Sequence, residues 1–206
     1  KPLSVHTYEI LNEVNLHTPI ITAAQYATIL KSVYPAIKVA DPSSTVLMSG
    51  LGTKRGRQEP FSYLQAIYTA GAKGYFDAVN MHLYSFPEML IPTNASACHF
   101  YNAFCYDLLA MHAVMERNGD GNKKIWLTEF GCATGTDADK PASCTDAALA
   151  QQITLAFNQA NTWGWTGPFF VFSWQDNTTD GDFGLYYANG SPKTAALAAY
   201  KQAAFS

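Results

Sequence analysis

Short apolar runs alternate along the whole chain with segments of helical spacing. The apolar runs predict strands at residues 4–12, 44–52, 76–85, 123–131 and 167–177. The intervening segments predict helices at residues 22–33, 60–70, 100–117, 146–161 and 192–204. The strands are nearly continuously apolar, which is typical of parallel strands covered on both faces. The pattern therefore predicts an α/β fold with about five parallel strands and flanking helices.

Polar side chains mark the points where these strands end. They are Asn12 and Glu13, Ser49, His82 and Tyr84, Thr128 and Glu129, and Ser173, Trp174 and Gln175. An open doubly wound sheet fits the alternation as well, but no Gly-rich phosphate loop follows the first strand. In a (β/α)8 barrel the carboxyl ends of the strands form the face on which sites are built. We therefore expect a partial, truncated TIM-type barrel.

Composition limits the partners that the chain can take. Its net charge is −3, with 16 acidic residues against 13 lysines and arginines, which gives no reason to propose nucleic acid or an anionic membrane. No run approaches the ~18 apolar residues of a membrane span. A length of 206 residues with 48% hydrophobic content suits one well-buried domain.

Four cysteines occur as two close pairs, Cys98 with Cys105 and Cys132 with Cys144. Two local disulfides are the favoured interpretation, with a zinc site or free thiols as alternatives. Neither pair has the C-x-x-C spacing that favours zinc chelation. Disulfides imply an oxidising compartment, so we expect a secreted protein.

Two glutamates stand where apolar runs end: Glu13 in YEILNEVN, residues 8–15, and Glu129 in WLTEFG, residues 126–131. A glycosidic bond is cleaved between a carboxylic acid that protonates the leaving oxygen and a second carboxylate. Burial would raise the pKa of the acid, and hydrogen bonds from donors such as Asn12 and Tyr84 would keep the second group ionised. The competing interpretation is structural, with Glu13 as a cap and Glu129 paired with a lysine. Because both end a strand beside a polar donor, we favour catalysis.

At these residues the sequence resembles the large clan of retaining (β/α)8-barrel glycoside hydrolases, which includes the cellulase and β-xylosidase families. YEILNEVN, MHLYS, WLTEFG and FSWQDN resemble the ends of barrel strands four, six, seven and eight in that order. The closing segment DFGLYYANGSPKTAALAAYKQ is similar to the tail of many such enzymes, in which a strand-eight loop leads to a final helix.

The resemblance implies a role for each matching residue. Glu13 would be the general acid/base and Glu129 the nucleophile, with their carboxyl groups about 5 to 5.5 Å apart for a retaining mechanism. His82 and Tyr84 would orient the carboxylates, and Trp174 would form the floor of the sugar subsite nearest the cleavage point. The expected substrate-binding residues are Asn12, His82, Tyr84 and Trp174. We expect neither a metal nor a cofactor.

The sequence departs from the clan pattern at several points. Val14 stands where the clan often has proline, Leu11 where tryptophan is frequent, and Leu83 where proline often lies between the histidine and the tyrosine. Leu11 and Leu83 look like packing changes. The larger departure is that the chain opens on what would be strand four. We therefore expect residues 1–206 to form a single glycoside-hydrolase-like domain that lacks the N-terminal barrel strands.

Five strands cannot close an eight-stranded barrel, so the first and last would present unpaired backbone edges. A homodimer is the simplest way to cover these edges. A separate N-terminal chain or a local rearrangement are the alternatives. The residues would otherwise be a fragment of a longer gene product.

Two functions follow. The first is a retaining hydrolase of β-linked oligo- or polysaccharides. The alternative is a catalytically weak or inactive truncated barrel that binds carbohydrate, because positioning of the transition state tolerates little looseness.

Overall fold

The computed structural model describes residues 5–16, 21–53, 58–84, 106–134 and 144–205. The chain forms two compact units. The first contains residues 1–82 and 107–127, and the second contains residues 83–106 and 128–206. Among the described residues, none of the helices combines the length and the apolar character that a membrane crossing needs.

The first unit alternates strands with helices. Its elements are β1 (Thr7–Asn12), α1 (Ala23–Ala40), β2 (Thr45–Gly50), α2 (Pro60–Thr69), most of β3 (Val79–Leu83), α3 (Leu108–Arg117) and the start of β4 (Ile125–Phe130). β1 pairs with β2 in parallel, and the last pair in this register joins Asn12 to Gly50. Parallel bridges from Leu47 and Leu51 then connect β2 to the segment that contains β3.

The helix α1 begins where the sequence predicts and ends later. Thr22 caps it through a capping box with Gln25, in which each side chain accepts from the other residue's backbone N–H. The helix was predicted to end at residue 33 but continues through Pro35 to Ala40, so this boundary was wrong. Tertiary contacts outweigh the hydrogen bond that proline removes, because Tyr34 donates to Asp77 at 2.8 Å and Lys38 pairs with the same carboxylate at 2.7 Å.

The core of the first unit lies between its strands and helices. The residues of β2 after Thr45 and all those of β3 are buried, as the continuous apolar runs predicted. Helices contribute buried side chains at helical spacing, which include Tyr26, Leu30, Leu64, Ile67, Met111 and Met115. Burial on this scale holds the ends of the strands, and therefore the site residues that follow them, in fixed positions.

The second unit contains the end of β4, α4 (Asp146–Thr162), β5 (Thr166–Phe169) and α5 (Thr194–Phe205). In the sheet, β5 is the neighbour of β4. β5 was predicted over residues 167–177, but only its first part is a strand, so this prediction was too long. Pro168 cannot donate to a sheet ladder, and from Ser173 onward the backbone bonds instead to the segment around Phe183 and Leu185.

A buried ion pair supports that irregular segment. Lys193 is fully buried and its Nζ lies 2.7 Å from Asp176 Oδ1. The same Nζ donates to the carbonyl of Asp182 at 3.0 Å, and Asp176 Oδ1 also accepts the backbone N–H of Gly184 at 2.7 Å. The pair therefore ties together both ends of residues 176–193.

One of the two expected disulfides is confirmed. Cys132 and Cys144 are bonded and close a loop in the second unit. Cys98 and Cys105, together with the first part of the helix predicted over 100–117, lie outside the described residues.

The predicted fold class is confirmed, since the chain is an α/β protein of parallel strands with flanking helices, as in part of a TIM-type barrel. A single domain over residues 1–206 stays a prediction.

The carboxyl group of Asp107, at the start of α3, generates a pH prediction. The residue is 4% exposed, and its Oδ1 has no hydrogen-bond partner among the described residues. Burial first, and then repulsion from Glu59, raises the pKa of Asp107 from its ordinary value to about 7. A raised acid pKa means that the folded state loses stability as the pH rises from about 4 to about 7. The substitution Asp107→Asn should therefore raise the free energy of unfolding at pH 8 by on the order of 2 kcal/mol.

At pH 4 the same substitution should change the free energy of unfolding far less, because Asp107 is then neutral in the folded state and only partly ionised in the unfolded state. Urea unfolding at the two pH values measures the difference. Glu116→Gln, at an exposed glutamate of α3, is the control. Equal effects of Asp107→Asn at pH 4 and pH 8 would contradict this account.

The buried pair generates a second stability prediction. Lys193→Met leaves the Asp176 carboxylate buried without its cation, which should lower the free energy of unfolding by about 3 to 5 kcal/mol. Adding Asp176→Asn removes the unpaired charge and keeps an acceptor for Gly184, so the double variant should recover part of the loss. Urea unfolding of the single and double variants tests this, and a stable Lys193→Met variant would show that the pair contributes little.

Candidate active site

In the first unit, Glu13 and His82 come together. Glu13 follows the last residue of β1, and His82 lies on β3 with 1% of its side chain exposed. His82 Nδ1 lies 3.1 Å from Glu13 Oε1, which is a hydrogen bond whose donor depends on the protonation of the ring. This direct contact is the one that the expected role of His82 requires, and the role itself stays a prediction.

The backbone that carries Glu13 is in an uncommon conformation. Leu11 has a φ of +64° and Glu13 a φ of +45°, both in the left-handed region. Each such residue costs roughly 1–2 kcal/mol, and strain of this kind concentrates at functional sites. Hydrogen bonds around the turn offset the cost, since Glu13 N–H donates to the carbonyl of Gly50 at 3.1 Å and Leu16 N–H to the carbonyl of Glu13 at 2.8 Å.

Asn15, the second asparagine of YEILNEVN, has a structural role. It is fully buried, donates from its amide to the carbonyl of Gly52 at 2.8 Å, and accepts the N–H of Gly52 at 3.1 Å. This two-way contact brings the backbone of Gly52 close to Glu13. A Cβ on Gly52 would lie 2.7 Å from Glu13 Oε1, so any other residue there would displace the carboxylate from this position.

In the second unit, Tyr84 contacts Glu129. The Tyr84 hydroxyl donates to Glu129 Oε2 at 2.7 Å. A donor on a carboxylate oxygen stabilises the ionised form, as a nucleophile requires. The tyrosine ring is held by edge contacts with Phe172 and Phe183, at centroid distances of 6.4 Å and 5.5 Å. Gly131, two residues after Glu129, has no room for a side chain, because a Cβ there would overlap the carbonyl oxygen of Phe172.

Trp174 presents an aromatic surface in the same unit. It is 65% exposed, and its ring rests on Tyr186 at a centroid distance of 4.7 Å. The backbone N–H of Tyr186 donates to the carbonyl of Trp174 at 3.0 Å, and the buried Asp176–Lys193 pair lies just beyond. An exposed indole on a supported backbone is suited to stacking against the apolar face of a sugar.

The remaining residues singled out by sequence occupy different environments. Asn12 ends β1 in register with Gly50 and is exposed. Val14 and Leu83 are fully buried, so Leu83 is a packing residue as expected. Leu11 is 47% exposed, so the expectation that it is a packing change was wrong. The left-handed backbone at Leu11 turns its side chain away from the core.

Sequence reasoning missed Glu9. Its Oε1 accepts the backbone N–H of Gly50 at 2.8 Å and lies 3.7 Å from His82 Nε2. Strand alternation could not have found Glu9, because its role depends on a contact with His82, far along the chain, and the left-handed backbone at Leu11 and Glu13 interrupts the period of two. The expectation of neither a metal nor a cofactor stays a prediction.

The chain matches one protein family in sequence and several solved structures in fold. The model of the glycosyl hydrolase catalytic core family matches residues 11–200. No curated protein matches the sequence significantly. Among solved structures, the chain is similar to an exo-β-1,3-glucanase of family GH128, subgroup VI, from Aureobasidium namibiae. That comparison has 12% identity and a TM-score of 0.63, and it covers 96% of this chain and 68% of the glucanase.

Two further solved structures are similar over a smaller share of their length. A family 51 α-L-arabinofuranosidase from Bifidobacterium longum has 12% identity and a TM-score of 0.65, with 95% of this chain and 43% of that chain covered. A β-D-glucuronidase from Dictyoglomus thermophilum has 15% identity and a TM-score of 0.62, with 98% and 32% covered. The chain thus spans about two thirds of the glucanase and less than half of the other two. These likenesses confirm the fold, and the family match over residues 11–200 shows that the chain belongs to the glycosyl hydrolase catalytic core family.

Proposed function

We propose that this chain carries the catalytic residues of a glycosidase that cleaves β-linked glycans with retention, with Glu13 as acid/base and Glu129 as nucleophile. The observation that carries the proposal is that each glutamate has its own dedicated partner at a strand end. His82 contacts Glu13 at 3.1 Å, and the Tyr84 hydroxyl donates to Glu129 at 2.7 Å.

The two partners suit different tasks. The Tyr84 hydroxyl donates a hydrogen bond to Glu129, and this contact favours a carboxylate that can attack carbon. A histidine can donate to Glu13 or accept from it, so its contact persists when Glu13 changes between acid and carboxylate. This is the change that a general acid/base makes during a retaining reaction.

The reaction would proceed in two balanced steps. In the first, the carboxylate of Glu129 forms a bond to the anomeric carbon while the glycosidic bond breaks, and Glu13 gives its proton to the departing oxygen. In the second, Glu13 takes a proton from water, whose oxygen attacks the same carbon and releases Glu129 as a carboxylate. Two inversions give net retention.

For the substrate, we propose a β-linked glucan, with β-1,3-glucan as the first to test. Two solved structures that resemble this chain are GH128 exo-β-1,3-glucanases, and the chain covers 68% of each. The exposed ring of Trp174 would stack against the sugar nearest the cleavage point, and Asn12 would supply polar contacts beside Glu13.

We also propose that the protein is exported and that its sheet edge is covered. The Cys132–Cys144 disulfide supports an oxidising compartment. In the described residues β1 pairs with β2 alone, so its other edge is available to a second copy or a complementing chain. Both statements stay predictions.

Chemical rescue tests the two roles separately. Glu129→Gly should lose hydrolysis of an aryl β-glucoside, and azide should restore cleavage by entering the vacated space, which yields the inverted α-glucosyl azide. Glu13→Gly should slow glucan hydrolysis by about 10²- to 10⁴-fold, and azide should give the retained β-glucosyl azide because the covalent intermediate still forms. Product configuration is read by NMR.

Glu116→Gln, at an exposed glutamate, is the control and should behave as the unsubstituted protein. If folded Glu129→Gly keeps its activity, the nucleophile is elsewhere. If the unsubstituted protein binds glucan and cleaves no substrate, the binding alternative is correct.

A further inference from the structure

His82 lies between two carboxylates in the first unit. Its Nδ1 is 3.1 Å from Glu13 Oε1, and its Nε2 is 3.7 Å from Glu9 Oε1. The histidine side chain is 1% exposed and that of Glu9 is 24% exposed. The ring therefore bridges the proposed acid/base and a third acidic residue that the proposed reaction has not used.

The number of hydrogens on the His82 ring decides whether it can donate to one carboxylate or to both. A neutral imidazole has one N–H and so can donate to only one of the two carboxylates. While Glu13 is a carboxylate, a ring with hydrogen on both nitrogens faces an anion on each side, so the two carboxylates together favour the ring that donates to Glu13. The bond from His82 occupies Glu13 Oε1, so the proton that Glu13 takes up and delivers as an acid is carried by the other oxygen.

The surroundings leave the ring little freedom. A Cβ on Gly50 would overlap the His82 ring, so the imidazole fills the space that this glycine leaves. The N–H of Gly50 donates to Glu9 at 2.8 Å, and the carbonyl of Gly50 accepts from the backbone of Glu13 at 3.1 Å. Glu9, His82 and Glu13 are thus fixed to a single backbone position.

We propose that Glu9 is a positioning residue for the reaction, which holds His82 as a donor to Glu13 and thereby keeps the acid/base carboxyl in its working orientation. The inference rests on the proposed function. The competing interpretation is that Glu9 only satisfies the N–H of Gly50. Glu9→Gln separates the two, because the amide oxygen still accepts that N–H while the charge beside His82 is lost.

The test compares leaving groups. A 2,4-dinitrophenyl β-glucoside departs without protonation, whereas a phenyl β-glucoside depends on the general acid. If Glu9 acts through Glu13, Glu9→Gln should lower kcat/KM for the phenyl glucoside by about tenfold to a hundredfold. For the dinitrophenyl glucoside the loss should be about threefold or less. Glu13→Gln should show the same pattern more strongly, and Glu9→Asp, which keeps the charge, should recover part of the loss.

The matched control is Glu116→Gln, which removes another glutamate beside a histidine, since Glu116 Oε1 lies 3.9 Å from His112 Nδ1 on α3. It should leave both substrates unaffected. Equal losses on both glucosides, or no loss on either, would overturn the role of Glu9 and leave the proposed function standing. If the unsubstituted protein cleaves neither glucoside, the proposed function fails and this inference fails with it.

Discussion

The positions of Glu9, Glu13 and His82 in the first unit all depend on the backbone of Gly50. Its N–H donates to Glu9 and its carbonyl accepts from Glu13, while the absence of a Cβ admits the ring of His82. The parallel register of β1 and β2 ends at this residue, opposite Asn12. The pairing of β1 with β2 therefore sets the backbone of Glu9 and of the proposed acid/base, and the missing Cβ of Gly50 leaves room for His82 between them.

In the second unit, a different set of contacts holds a hydrogen-bond donor next to the other glutamate. Glu129 ends a strand, and its partner Tyr84 is held by aromatic packing rather than by a charged neighbour. Glycine again permits close approach, since Gly131 lies against the backbone of Phe172. The exposed ring of Trp174 lies on an irregular segment and not on a regular strand. A buried ion pair supports this segment instead of a ladder of backbone hydrogen bonds.

Sequence periodicity predicted the alternation of elements and the strand ends that carry Glu13 and Glu129, because burial on both faces and polar termination leave a direct signal. It did not predict the left-handed backbone at Leu11 and Glu13, which depends on hydrogen bonds to another strand. Glu9 was missed for the same reason, since its importance lies in a contact with His82, 73 residues later. Tertiary contacts also carried α1 past Pro35, against its local signal, whereas β5 ends just after Pro168, which cannot donate to a sheet ladder.

The proposed mechanism requires that Glu129 forms a covalent bond to the sugar. The most direct measurement is intact-protein mass spectrometry after incubation with 2-deoxy-2-fluoro-β-glucosides, followed by peptide mapping, because fluorine slows breakdown of the glycosyl-enzyme. The proposed mechanism predicts that each chain gains the mass of one fluorosugar. Peptide mapping should place this sugar on Glu129, and the Glu129→Gln variant should show no gain. A sugar attached to another residue, or no gain from folded protein that still binds glucan, would contradict it.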